Sequence, residues 1–380
     1  MTPRAARALL VAGALSTVAG CVDTTLPGGT SALVPRTCSS AELEGFRAAS
    51  TATTRDDLWV AFIDVGQGDA IWIRTPGDMD SSAREILVDS GDAGAYGRSL
   101  GGAAVVKFMT DMEWVPGSPI HYLIVTNPDS DHYSGAREVM SKYHVGAYSD
   151  TGLVAVESDA DGTTGYGTFI HAIEAAGIPM LRPASKTLPA TFDDWSNGLV
   201  EVKLLSADEN AVAEGRETAE NRGSIVMRLD FGGTRLLLTG DATKGILDGL
   251  AVHHAGELQA NVLKVAHHGS KAETTDTFLD AVFPAANASP DRYGVITVGA
   301  GNTYGHPGDA LVSDLQTRVG LRGLFRTDRG DAGKHLDTTM GDDHVIMHVT
   351  SDGQLTVCYA YPDTPAPASA ATALTPSDLN

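Results

Sequence analysis

Positive charge is scarce in this sequence. Its 380 residues include 27 Lys and Arg against 48 Asp and Glu, a formal charge of −21. Such a chain stays soluble and repels polyanions at long range. No stretch of it is rich in Lys and Arg, which counts against a broad basic platform for nucleic acid. A membrane-spanning run is missing too: residues 8–20 are apolar but too short to cross a bilayer comfortably. Aromatic residues make up 6% of the chain, cysteines number three, and no internal repeat is visible. Glycine, by contrast, is plentiful at 42 residues, which suits many turns and backbone-lined sites. With 42% hydrophobic residues the chain can bury one large core or two modest ones.

The N-terminus reads as a processing signal. Arg4 and Arg7 precede the apolar stretch, which ends in Val18-Ala19-Gly20-Cys21. Small residues before a cysteine resemble the bacterial lipobox. That implies a signal peptide over residues 1–20, cleavage before Cys21 and lipidation of its thiol. The alternative is an ordinary secretory peptide with a chance cysteine. On the lipobox reading the protein is exported to the cell envelope and tethered to a membrane by lipid. Val22 follows Cys21, so no acidic residue there signals retention at an inner membrane. Two cysteines remain, Cys38 and Cys358. An oxidising compartment makes them a disulfide candidate, with two unrelated buried thiols as the alternative. Residues 21–56 read as the lipidated cysteine and a tether holding one short helix at 40–49. Residues 361–380, rich in Pro, Ala, Ser and Thr, read as a disordered tail.

Residues 57–360 read as one continuous domain. Short apolar or alternating runs predict strands at 58–65, 70–74, 85–89 and 121–126. Helical spacing follows at 103–112 and 134–143. After a looser middle region, 224–231 and 235–239 predict a hairpin around Gly232-Gly233. Strands are expected at 262–266, 295–298, 324–327, 344–349 and 355–359, and helices at 274–282 and 310–319. The pattern is strand-rich α/β with mixed or antiparallel pairing. Two sheets face to face with helices outside would fit, although periodicity alone does not force that arrangement.

Polar residues gather where the apolar strands end. Thr126-Asn127-Pro128-Asp129-Ser130-Asp131-His132 follows the strand at 121–126. Its carboxylates and imidazole suit zinc or manganese; the bland alternative is an Asp-rich turn capping the next helix. Leu238-Thr239-Gly240-Asp241 ends a second strand, and Ala266-His267-His268-Gly269-Ser270 ends a third. Tyr304-Gly305-His306-Pro307 adds a histidine ahead of a helix. Four strand-end sites of acid or imidazole in one domain are hard to explain as turn chemistry.

The segment 127–132 resembles the His-x-His-x-Asp-His signature of the metallo-β-lactamase superfamily. Phe62-Ile63-Asp64-Val65-Gly66-Gln67-Gly68-Asp69 stands before it, and the segment 224–241, His267-His268-Gly269-Ser270, Asn302-Thr303-Tyr304-Gly305-His306-Pro307 and Arg326-Thr327-Asp328 follow it in order. Together they resemble the hydrolase domain of the bacterial DNA-uptake channel protein ComEC and its stand-alone relatives, over residues 57–360. The resemblance implies an α/β fold, the four-layered αββα metallo-β-lactamase sandwich, with metal at one edge of the sheets. It implies metal ligands at Asp131, His132, Asp241 and one of His267 and His268, with His267 slightly favoured. Asp129 is either a ligand of a weaker position or a general base. The chain departs from the pattern at Asn127, which stands where the signature has histidine, and at Asp129.

The implied activity is metal-dependent hydrolysis by an activated water, with zinc or manganese, one or two ions per chain. Catalytic roles fall to Asp129, Asp131 and His306. Substrate contacts fall to Lys271, His306 and Arg326, each with a surface or packing role as the alternative. Asp69 and Asp89 are expected to orient ligands from behind. The substrate expected first is a phosphodiester in nucleic acid; the alternatives are a small ester, lactone or phosphoester, a β-lactam, or no reaction in a lipoprotein with a degenerate site. No protein partner is expected.

Overall fold

The computed structural model describes residues 35–49, 55–78, 82–92, 100–153, 165–183, 188–285, 291–328 and 343–360. All fall within the compact unit Val34–Asn380. The signal peptide, Cys21 and the tail at 361–380 lie outside the described residues.

The first strand shows how the layers arise. In β1 (Leu58–Phe62), Leu58, Val60 and Phe62 point one way and Trp59 and Ala61 the other, the two-residue period of a strand. The first set joins an apolar cluster between two sheets. The second packs beneath helices on the outside. Every residue of the strand is buried, so both of its faces are covered.

One sheet has eight strands. Its central members are β1, β2 (Ile71–Arg74), β3 (Glu85–Val88), β4 (Pro119–Ile124) and β5 (His144–Ser149), in that order. β6 (Met180–Leu181) closes one edge. The last two strands of the chain, His344–Val349 and Leu355–Ala360, close the other, with the former against β1. The second sheet has seven strands. It begins with β7 (Ala190–Thr191), β8 (Glu201–Ser206), β9 (Val226–Phe231) and β10 (Thr234–Leu238). It ends with β11 (Val262–Lys264), β12 (Tyr293–Ile296) and β13 (Leu324–Arg326). Val60, Ile73, Leu204, Leu236 and Met347 fill the space between the sheets. Outside the first sheet lie α1 (Ser40–Ala48) and α2 (Gly101–Asp111), through Phe46 and Phe108. Outside the second lies a cluster holding Leu247, Phe278 and Leu315, from helices at Lys244–His253, Asp276–Val282 and Asp309–Val319. These are the four layers αββα.

Pairing is mixed, as the patterning implies. β1 runs antiparallel to β2, whereas β3, β4 and β5 are parallel. β10, β11, β12 and β13 are parallel as well. Parallel strands end at the same side, and in register: Val88 pairs with Ile124, and Leu238 with Lys264. The polar segments after β3, β4, β10, β11 and β12 therefore leave from carboxyl ends of parallel strands, where open α/β sheets gather their sites.

Two expectations are corrected. The helix expected at 134–143 is two short ones, Ser130–Tyr133 and Ala136–Met140, because Gly135 packs directly on the loop after β3. The tether expected through residue 56 is shorter. Phe46 is fully buried, Arg74 Nη1 donates to the Phe46 carbonyl at 2.6 Å, and Cys38 N–H donates to Tyr359 O at 2.8 Å. A disulfide joins Cys38 to Cys358, with Cα atoms 4.9 Å apart. Residues 35–49 thus belong to the folded domain. Among the described residues, no helix is long and apolar enough to cross a membrane.

Candidate metal centre

Two glycine turns bring the site together. At Gly68 (φ 122°), a Cβ would lie 2.3 Å from Asp131 O, so only glycine admits this approach. It lets Asp69 N–H donate to Asp131 O at 3.1 Å. After β11, three successive residues are left-handed: His267 (φ 49°), His268 (φ 54°) and Gly269 (φ 79°). For histidine this conformation is uncommon and costs about 1–3 kcal/mol. Here it turns both imidazoles toward one cavity.

Asp131, His132 and His268 bring ligand atoms within 4.8 Å of one another. His132 Nε2 lies 3.2 Å from Asp241 Oδ2 and 3.9 Å from Asp131 Oδ1. His268 Nε2 lies 3.2 Å from Asp131 Oδ2 and 3.4 Å from Asp241 Oδ2. His132 Nε2, His268 Nε2 and Asp241 Oδ1 are buried and have no hydrogen-bond partner. Orphaned polar atoms are expensive in a protein interior, and three in one place fit a cation.

The other nitrogen of each ring is held. His132 Nδ1 meets Asp89 Oδ2 at 2.9 Å, and Asp89 is fixed in turn by Thr126 N–H and Oγ1, each at 2.7 Å. His268 Nδ1 meets Thr297 O at 2.9 Å. Both rings therefore keep the Nδ1 hydrogen and turn Nε2 to the cavity, where a bound cation would take the place of a second proton, the arrangement of a metal-ligating histidine.

A second grouping, Asp69 with His132 and Asp241, is also close enough for a metal. We set it aside because Asp69 is already engaged by Lys264 Nζ and Thr297 Oγ1. Lys264 is fully buried, donates to Gly240 O at 3.1 Å and lies 3.8 Å from Asp241 Oδ1. Strand patterning did not single it out. A lysine at a strand end reads as surface charge, and its partner Asp69 is distant in sequence.

The electrostatics follow from burial and crowding. Burial alone would hold His132 and His268 neutral, but Asp241 with Asp89, and Asp241 with Asp69, push both well above the usual imidazole range. Burial opposes ionisation of Asp241, yet His268, His132 and His267 hold its carboxyl well below the usual range. Asp129 goes the other way: burial, with Asp131 and Asp241 nearby, pushes it up to about 6. The pocket attracts positive charge. Asp129 stands at the N-cap of the helix after β4 but makes no capping bond with its side chain, so the capping alternative does not hold.

The cavity is about 500 Å³, lined among others by Asp129, Asp131, Asp241, His267, His268 and His306. It unites residues from the ends of β4, β10, β11 and β12. His267 lies further out than His268: its side chain is 28% exposed, and its Nε2 is 3.7 Å from Asp241 Oδ2. The left-handed turn sends His268 inward, so the geometry favours His268 over His267, the one the sequence slightly favours. His306 is half-buried; burial and the neighbouring His267 and His268 lower its pKa to about 4. Arg326 does not line the cavity, because both ends of its guanidinium bond Asp328, at 2.8 and 2.6 Å. Lys271 is exposed and also outside the lining. Asn127 is buried; its Oδ1 accepts from Asp129 N–H at 2.9 Å, and its Nδ2 faces Ser224 Oγ at 3.4 Å.

A family model described as the metallo-beta-lactamase superfamily matches residues 63–287. The chain is 26% identical over 281 residues to ComE operon protein 3 of Bacillus subtilis (strain 168), covering 71% of this chain and 32% of that protein. It is 27% identical over 284 residues to the competence protein ComA of Neisseria gonorrhoeae, covering 74% and 32%. The chain thus spans about a third of the length of these relatives. Among solved structures, it is similar to the metallo-beta-lactamase fold protein YhfI from Bacillus subtilis at 13% identity and a TM-score of 0.38, covering 71% of this chain and 95% of that one.

Proposed function

The chain belongs to the metallo-beta-lactamase superfamily, and from that premise we propose that it is a metal-dependent hydrolase of phosphodiester bonds in nucleic acid. The observation that carries the hydrolase reading is the convergence of the unpartnered His132 Nε2, His268 Nε2 and Asp241 Oδ1, with both ring tautomers set from behind. Asp131, His132, His268 and Asp241 would hold a divalent cation, zinc or manganese by donor chemistry. Bound there, it would activate a water and polarise the bond under attack.

The chain's own groups supply the rest. Asp129, raised to about 6, accepts a proton near neutral pH from the cavity wall. His306, lowered to about 4, is uncharged at neutral pH, so it gives or takes a hydrogen bond and does not clamp a phosphate by charge. Asp89 and Thr297 O orient the two ligand rings. The Asn127 amide oxygen is spent on Asp129 N–H, so we read the centre as built for one tight cation. The phosphodiester itself is read from the likeness to competence proteins. We place the protein in the cell envelope, anchored through Cys21. Release of a Cys21→Ala variant from membranes tests that placement.

A second reading, a small neutral ester or lactone, is favoured by the carboxylate-rich cavity, whose described lining has no Lys or Arg. The test uses the full chain beside Asp241→Ala. Elemental analysis reads metal, and cleavage is assayed on single- and double-stranded DNA with zinc, manganese or magnesium. Metal with cleavage that vanishes in Asp241→Ala supports the phosphodiesterase. Metal without cleavage moves the reading to small esters, and no metal uptake sinks both.

A further inference from the structure

The mouth of the cavity is aromatic. Four rings stand in a row from the buried centre to solvent. Ring centroids of His268 and His267 are 6.0 Å apart, and those of His267 and His306 are 5.7 Å apart. His306 and Tyr304 follow at 6.0 Å, within 20° of parallel. Tyr304 is 62% exposed, the one exposed residue among the described Phe, Tyr and Trp. A tyrosine left in water forgoes the burial that aromatic rings ordinarily gain.

The loop that carries this ring is pinned. Asn302 Oδ1 accepts from Tyr304 N–H at 3.1 Å and from His306 N–H at 3.2 Å. Its Nδ2 donates to His306 O at 2.7 Å and to Gly299 O at 3.1 Å. Tyr304 is therefore presented on a fixed support.

The charge of the cavity asks for such a support. Asp92, Asp129, Asp131 and Asp241 line it, and no Lys or Arg does among the described residues. Arg326 is committed to Asp328, and Lys271 stands outside. A strand held by its phosphates alone would meet carboxylates on the cavity wall. Stacking needs no positive charge, and it accepts any base because every base has a flat face.

We propose that Tyr304 and His306 form a stacking ledge for one unpaired nucleobase beside the bond to be cut, so that the substrate is a single strand held by base more than by phosphate. This rests on the phosphodiesterase reading. A base inside a duplex is already stacked and would have to be drawn out at a cost, so duplex is the poorer ligand. Salt dependence is the second consequence. A protein that neutralises 6–10 phosphates loses about 10³–10⁵ in affinity between 50 and 200 mM salt; here the loss is expected to stay below about tenfold.

The test uses the full chain loaded with manganese, and fluorescence anisotropy of a labelled ten-residue oligothymidylate beside an abasic strand with the same phosphates. Wild type and Tyr304→Phe should prefer the thymidylate by about fivefold or more, and Tyr304→Ala should lose that preference. Equal binding of the two strands by wild type overturns the ledge, as does a preference that survives in Tyr304→Ala. Incubating the same samples for cleavage tests the parent reading separately. A strand bound through its bases but not cut leaves the ledge and removes the phosphodiesterase. A strand cut without regard to its bases does the reverse, and no binding of either strand removes both.

Discussion

His268 points its Nδ1 at the carbonyl oxygen of Thr297, 2.9 Å away. A carbonyl only accepts, so Nδ1 carries a hydrogen and Nε2 is the nitrogen left for a cation, which would displace its proton. His267 has no such carbonyl behind it; its Nδ1 lies 3.8 Å from Glu273 Oε1. His268→Ala should therefore lower metal affinity more than the roughly 10–100-fold typical of lost outer partners. His267→Ala should keep most of the metal. Titration with a competing chelator ranks the two, and the reverse order would return the late ligand to His267.

Asp89 acts through His132. Its Oδ2 holds Nδ1 at 2.9 Å while Thr126 holds Asp89 itself. Asp89→Asn keeps the shape and removes the charge that makes the ring a better donor. Metal affinity should drop about 10–100-fold with little change in fold, read by the same titration beside a circular dichroism spectrum. Unchanged affinity would show that Asp89 is merely structural.

The residues that local rules govern were legible in the sequence. The apolar run at 58–65 predicts a strand, and the structure has one at Leu58–Phe62, with Val60 facing the other sheet and Trp59 the helices. Asp131, His132 and Asp241 stand at strand ends because parallel strands finish on one side. Three things were not legible. The choice between His267 and His268 depends on two left-handed residues that no propensity favours. Lys264 is recognisable only through Asp69, which arrives from the turn between β1 and β2 in the other sheet. The strands Met180–Leu181 and Ala190–Thr191 are too short to carry a period.

The disulfide ties Cys38, just ahead of α1, to Cys358 in the last strand. Closing a loop of this length limits the unfolded chain, and removal of a native disulfide commonly costs about 2–5 kcal/mol. Cys38→Ser should lower Tm by roughly 5–15 °C, with reductant doing the same to wild type and nothing to the variant. A wild-type Tm insensitive to reductant would mean that the bond stabilises nothing.

Glu42 gives a pH signature at the same end of the chain. Arg36 donates to its carboxylate at 2.9 and 2.6 Å and Ser39 N–H at 2.8 Å, and together they outweigh partial burial and hold its pKa down to about 2. A carboxyl depressed on folding stabilises the fold above its unfolded pKa, about 4.3, and loses that contribution as pH falls toward 2. Arg36 is exposed and Glu42 half-buried, so solvent screening limits the effect to about 1 kcal/mol or less. Glu42→Gln should melt slightly below wild type at pH 7, with the gap closing as pH falls from about 4.3. A gap that persists at low pH would assign the effect to packing.

The single-cation reading of the centre turns on Asn127. It leads the strand-end segment where the superfamily signature has histidine, and its amide is already used. Oδ1 accepts from Asp129 N–H at 2.9 Å, and Nδ2 faces Ser224 Oγ at 3.4 Å. An amide oxygen is a weak, neutral donor beside an imidazole, and one already accepting a backbone hydrogen bond is weaker still. Elemental analysis and native mass spectrometry of the full chain should therefore find about one tightly held cation. Asn127→His should raise the count toward two in excess metal, because Asp129 and Asp241 already supply carboxylates on that side. Two tight cations in wild type would sink the single-cation reading. A count that stays near one in Asn127→His would show that the second position lacks more than a single imidazole.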